Sequence, residues 1–253
     1  MISLVDALPL WALTIFTFLL TLGAFEIGYR LSRRKRREGA AALGTVVGAG
    51  LGLLAFFLAF TFGIAASRFD TRRQLVLQEA NAIGTAFLRA ELVPEPHRSE
   101  IQRLLRDYTD DRIEAARTGD IQTVIIRSEK IHRRLWSEAA ALGQSDPRSV
   151  MSGLLIASLN EVIDLHAMRL TVALRTRIPE PVWNVLFLLT AVAMAAMGYH
   201  AGETQPERSP VVFLVALAFS SVILVVADLD RPLEGWLRVS QQALIDTRES
   251  MNR

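Results

Sequence analysis

The chain of 253 residues carries 28 Lys and Arg against 26 Asp and Glu, and a net charge of only +2 gives nucleic acid no broad basic footprint. An apolar fraction of 51% and a mean hydropathy of +0.29 point to a membrane protein with a charged part outside the bilayer. Cysteine is absent, which excludes disulfides, thiolate metal sites and cysteine nucleophiles.

The amino terminus has no basic n-region, and no small-residue cleavage site follows its apolar run. Residues 8–25 are therefore expected to form a retained first span, with Trp11 at an interfacial position. Glu26 stands four residues before Arg30, the spacing of a helical ion pair at the end of a span. A buried functional acid is the other reading. Arg30, Arg33, Arg34, Lys35, Arg36 and Arg37 then make a basic hinge at 30–37, an orientation and anionic-lipid signal between two spans.

Residues 39–67 carry no charge and exceed the ~20 apolar residues that cross a bilayer. No proline follows before Pro94, so the pattern predicts one helix of about 50 residues, half in lipid and half in water. Gly44, Gly48 and Gly52 share one face and would let a neighbouring backbone approach closely. Phe56, Phe57, Phe60 and Ile64 admit two readings: packing or lipid contact, or an apolar constriction that gates a pore by dewetting.

Residues 68–180 predict an antiparallel helical bundle inserted between spans two and three. Its first and last helices are expected to be continuous with those spans, as a rigid stalk. Ile101, Leu104, Leu105 and Tyr108 form one core stripe, and Thr118-Gly119-Asp120 ends that helix. Ile121, Val124, Ile125, Ile131, Leu135 and Trp136 support the next helix, closing near Gly143. Ser145 or Asp146 is expected to cap the last one, with Pro147 in its first turn. Polar residues stand out on the stalk helices: Glu79 and Asn81 on the first, and Asn160, Glu161, Asp164, His166 and Arg169 on the last. They suit buried hydrogen bonds that fix register or subunit contacts, ion conduction along a vestibule, or metal and acid-base chemistry.

Residues 181–202 and 209–227 predict spans three and four, joined as a hairpin within a segment 181–229. Asp228 and Asp230 at the following boundary suit an interfacial charge cluster with Arg231. They are weak calcium candidates, since two carboxylates fall short of a calcium shell. Residues 230–253 predict an amphipathic tail that lies on the membrane or docks to the bundle. The fold class expected is thus all-α: a polytopic membrane protein with four transmembrane helices and an extramembrane helical bundle.

Four ordered motifs carry a family resemblance. They are Leu58-Ala59-Phe60-Thr61-Phe62 through Arg72-Arg73; Glu79-Ala80-Asn81-Ala82-Ile83-Gly84; Asn160-Glu161 through Asp164-Leu165-His166 and Arg169; and Asp228-Leu229-Asp230-Arg231-Pro232 with Val239-Ser240-Gln241-Gln242. Together they resemble the bacterial bestrophin-like proteins of unknown function, over nearly the whole chain from the second span onwards. The more distant resemblance to bestrophins, which are pentameric chloride channels, implies a pore lined by the second span. Phe56, Phe57 and Phe60 are the positions that would form its neck.

Bestrophins put the middle domain in the cytoplasm. Here the hinge side offers seven basic residues, the six of the hinge and Arg208. The other side offers eight: Arg68, Arg72, Arg73, Arg169, Arg175, Arg177, Arg231 and Arg238. The density of the short hinge tips the expectation towards a cytoplasmic hinge with the bundle outside, in the bacterial inner membrane. The function expected is a homo-oligomeric, anion-conducting channel in the lipid bilayer, with inorganic ions as its partners and no cofactor. The alternative is a non-conducting membrane sensor or scaffold whose bundle binds a partner. Catalysis is not expected, because no nucleophile–base pair, metal-spaced cluster or phosphate loop is present.

Overall fold

The computed structural model describes residues 5, 8–34, 40–204, 210–232 and 235–252, with backbone alone at 34, 40–42 and 175. Regular structure there is all α-helical: α1 (Leu10–Arg34), α2 (Ala40–Ala90), α3 (His97–Thr118), α4 (Ile121–Ser145), α5 (Val150–Arg175), α6 (Glu180–Thr204), α7 (Val211–Asp230) and α8 (Gln242–Ser250). No strand occurs among the described residues. Five of these helices (α1, α2, α5, α6 and α7) are long and apolar enough to cross a membrane, one more than the four expected. The additional one is α5, whose apolar residues Leu155, Leu159 and Val162 are buried in the core of the bundle.

The first helix does not stop at the end of its apolar run. It continues to Arg34, so the first part of the expected hinge is helical. No glycine or proline interrupts the chain between Gly28 and Gly39, and arginine is a good helix former. Glu26 accepts from the Arg30 Nε–H at 2.6 Å, the predicted i,i+4 pair. Lys35, Arg36, Arg37 and Arg208 lie outside the described residues. The second helix is a single run of 51 residues.

The chain divides into two units. The first comprises residues up to Phe69 with Arg177–Leu237, that is α1, the first part of α2, α6 and α7. Leu13, Leu54, Leu58, Trp183, Leu186 and Ile223 form its core. Within it α2 is buried along one strip, Val47, Leu54, Leu58, Thr61 and Ala65. Glycine brings α1 and α6 to backbone contact. A Cβ on Gly28 would lie 1.9 Å from the Ala195 carbonyl oxygen, and one on Gly198 would lie 2.0 Å from that of Phe25.

The second unit comprises Asp70–Thr176 and the residues from Arg238 onwards. The rest of α2 packs with α3, α4 and α5 around Ile83, Leu104, Leu105, Tyr108, Leu135, Leu155 and Leu159. Gly119 closes α3 at φ +75°, and the Asp120 side chain accepts from the Thr123 N–H at 3.2 Å to open α4. The fourth helix runs past Gly143 to Ser145. The cap of α5 differs from expectation. Asp146 turns locally onto the Arg148 N–H at 3.2 Å, so Ser149 caps instead, accepting from the Ser152 N–H at 3.1 Å. The tail is drawn into this unit by α8, which buries Leu244; the Thr247 hydroxyl donates to the Ala80 carbonyl at 3.4 Å, and Arg248 pairs with Asp110 at 2.8 Å.

The returning helix is not continuous with the third span. Helix α5 ends at Arg175, and Thr176 is extended. Pro179 disfavours helical backbone at Ile178 and removes a donor, so α6 starts afresh at Glu180. The Ile178 N–H, left without a helical acceptor, donates to the Asp230 carboxylate at 3.1 Å.

Candidate functional site

The part of α2 in the first unit leaves most of its circumference uncovered. Opposite its buried strip, Leu53, Phe56 and Phe60 stand on an open face, with Phe56 70% and Phe60 58% exposed. Four residues singled out together thus separate: Phe56 and Phe60 point away from the unit, while Phe57 and Ile64 are half-buried against its core. A Cβ added at Gly48 or Gly52 would meet nothing within 4 Å, and one at Gly44 would meet only the His200 ring, at 3.5 Å. An open groove of about 540 Å³ runs along Ala59, Phe60, Gly63, Ile64, Ser67 and Arg68. This is a face of apolar rings and bare backbone, with Arg68 at its end.

The second feature is a buried polar cluster in the bundle. Glu79 on α2 is fully buried (0% exposed), and its carboxylate accepts from the Tyr108 hydroxyl on α3 and from the Arg169 guanidinium on α5. Arg112, one turn beyond Tyr108, places Nε 3.3 Å from the same carboxylate as an ion pair without hydrogen-bond geometry. Since the Tyr108 proton goes to Glu79, His166 Nδ1–H donates to the Tyr108 oxygen, at 3.0 Å. His132 on α4 completes the group, its ring 4.7 Å from that of His166 and 4.9 Å from that of Tyr108. Burial, with the Glu79 charge adding to it, pushes the Tyr108 phenol well above its ordinary range, so it stays a donor. Burial holds the His132 imidazole at about 4; Glu79 opposes that shift and Arg112 adds to it.

The third feature is a knot at the end of α7. Asp228 accepts from the Trp236 and Leu237 N–H groups, both at 3.0 Å. Asp230 accepts from Ile178 as above and pairs with Arg68 at 3.5 Å, while the Arg177 guanidinium donates to its carbonyl at 2.8 Å. Arg231 donates to the carbonyls of Val5 and Leu8. The two calcium candidates are thus buried acceptors for backbone donors, which accounts for their burial. Among the described residues no three His, Asp or Glu side chains gather as a metal site.

Of the polar residues marked on the stalk helices, Glu79, His166 and Arg169 converge. Asn81, Asn160, Glu161 and Asp164 are exposed. Sequence reasoning misses Tyr108, Arg112 and His132 as partners. The available signal is phase: Tyr108 and Arg112 continue the apolar stripe of α3 at i,i+4, and such a polar residue in register with a core stripe is buried. The motif residues now have physical roles as well. Glu79, His166 and Arg169 belong to the cluster, and Gln241 joins it by accepting from Arg169 at 3.3 Å. Asp228, Asp230 and Arg231 make the knot.

The sequence profile of the Bestrophin-like domain matches residues 15–244. The chain belongs to the bestrophin-like family. The match begins inside α1, earlier than the second span from which the motifs are legible. Among solved structures, a bacterial bestrophin homologue from Klebsiella pneumoniae superposes with a TM-score of 0.65 at 16% identity, over 95% of this chain and 96% of that one. A point mutant of that homologue gives 0.65 at 17% identity, over 96% and 98%. A crystal structure of a membrane protein gives 0.66 at 16% identity, over 94% and 95%. At such identities the likeness is one of fold. No curated protein matches the chain.

Proposed function

We propose that this chain is a homo-oligomeric, anion-conducting channel whose α2 lines the pathway. The observation that carries this reading is the uncovered phenylalanine and glycine face of α2, on a chain with the fold from which bestrophins build ion channels. An open apolar face of this kind needs a lipid or a protein neighbour. Around a symmetry axis, copies of Phe56 and Phe60 would form a narrow apolar ring, and the basic residues flanking α2 would favour anions. By the bestrophin resemblance the assembly is a pentamer. No catalytic role is proposed.

In this reading four helices cross the bacterial inner membrane: α1, the first part of α2, α6 and α7. The fifth apolar helix, α5, stays in the bundle, because it contributes Arg169 and His166 to a buried polar cluster that lipid would not accommodate. The basic hinge faces the cytoplasm and the bundle the outside. A reporter that works only outside the cytoplasm, fused after Arg253, should then be active; activity of a cytoplasm-only reporter at the same position would reverse the orientation.

Purified protein in planar bilayers should give discrete currents whose reversal potential follows the anion gradient. Absence of current under every salt, pH and calcium condition would leave the non-conducting scaffold as the reading. Phe60→Ala should raise conductance or leak severalfold while the oligomer stays intact, because it widens an apolar constriction by a whole ring. An unchanged conductance would remove Phe60 from the pathway.

A further inference from the structure

We propose that the Glu79–Tyr108–His166–His132 cluster is a proton-operated latch that holds α2 in the bundle at neutral pH and releases it in acid. The geometry carries this. Four helices contribute to one buried cluster: Glu79 from α2, Tyr108 and Arg112 from α3, His132 from α4, and His166 and Arg169 from α5. Its formal charge is already positive, with two guanidiniums against one carboxylate. His132 and His166 are only 8% and 4% exposed, and the Nε2 of each has no hydrogen-bond partner.

The donor chain fixes where an added proton goes. His166 Nδ1 and the Tyr108 hydroxyl already donate in series towards Glu79, so the free lone pair on His166 is at Nε2. A proton taken up there becomes a buried N–H with no acceptor. It also adds a positive charge to a cluster that holds an excess of one. On His132, a further charge is opposed by the nearby Arg112 guanidinium. Either event costs the folded bundle more than the open one, in which both imidazoles reach water and regain an ordinary affinity for protons.

The sign follows directly. Burial depresses the folded-state pKa of His132 to about 4, from an ordinary value of 6.5. The stabilisation it lends is complete above pH 6.5 and is lost as pH falls from there towards 4. The latch therefore weakens across the mildly acidic range and not above neutrality. Because α2 is one helix carrying both Glu79 and Phe60, acid release would regulate the proposed pathway; that last step alone rests on the channel reading.

Hydrogen exchange on the full-length protein in nanodiscs tests it. Labelling at pH 7.5 and pH 5, corrected for intrinsic exchange, should show protection over residues 76–84 and 128–136 falling by roughly tenfold or more in acid. His132→Gln with His166→Gln should remove most of that response. If the double variant does not fold, histidine NMR of the unmodified protein decides instead. Two imidazoles should stay neutral down to about pH 5 and become protonated only as bundle protection is lost. Ordinary titration near 6.5 with protection intact, or an equal acid response in the folded double variant, overturns the latch. Loss of protection without any current speaks against the channel and leaves the latch standing.

Discussion

Glu79→Ala is expected to destabilise the bundle by about 3–5 kcal/mol, the usual cost of removing one partner from a buried ion pair. Glu79 is the sole carboxylate of its cluster, receiving Tyr108 and Arg169 as hydrogen-bond donors and Arg112 as an ion pair. Alanine leaves a phenol donor and two guanidiniums in a site where none of them reaches much water. Arg169→Met should cost less, since it leaves Glu79 and Arg112 as a neutral pair and fills the space with an apolar chain. Glu79→Gln lies between: an amide oxygen still accepts from Tyr108, but the charge is gone. In thermal unfolding of nanodisc protein the alanine variant should lose roughly 6–20 °C. A loss of under about 2 °C for Glu79→Ala, or an equal loss for Arg169→Met, would mean that the cluster does not act as a charge-balanced unit.

Much of the fold is legible because the signals are long. The uncharged run at 39–67 and the lack of proline before Pro94 imply one long helix, and α2 is one. The stripe from Ile101 to Tyr108 and the Gly119-Asp120 punctuation read the same way. What is not legible depends on partners distant in sequence or on local competition. Asp146 looks like a helix cap because it precedes Pro147, but its oxygen is taken locally by Arg148. The break at 176–179 is stabilised by Asp230, some fifty residues on, which no local pattern could foretell. His132 stands on an apolar helix face with no local reason to single it out; only the fold brings it to Tyr108 and His166. The apolar composition of α5 likewise matches a span, and the burial of its Leu155, Leu159 and Val162 beside Leu105, Leu135 and Tyr108 is a tertiary fact.

Gly198→Val is expected to prevent assembly of the first unit altogether. The glycines that look like a packing stripe, Gly48 and Gly52, meet nothing within their own chain. The contact that needs glycine lies elsewhere, between α1 and α6. There a Cβ on Gly198 would sit 2.0 Å from the Phe25 carbonyl oxygen and 2.8 Å from its carbonyl carbon. Both obstacles are backbone, so no side-chain rotation relieves them, and the two helices must separate. Separation would open the packing of Phe25, Tyr29 and Met194, which are buried beside this contact. Extra methylenes forced into a well-packed soluble core cost about 1–3 kcal/mol; a branched side chain driven into backbone should exceed that. Gly48→Val is the control, since its Cβ enters open space within the chain. Expression of both variants with a carboxyl-terminal fluorescent tag, followed by size-exclusion chromatography in detergent, separates the outcomes. Gly198→Val should yield aggregate or no protein, and Gly28→Val the same, because its Cβ meets the Ala195 carbonyl. Gly48→Val should yield folded chains, whose oligomer peak then reports whether that face packs against a second copy. A folded, monodisperse Gly198→Val protein would show that α1 and α6 do not meet at backbone distance, and the first unit would need a different helix arrangement.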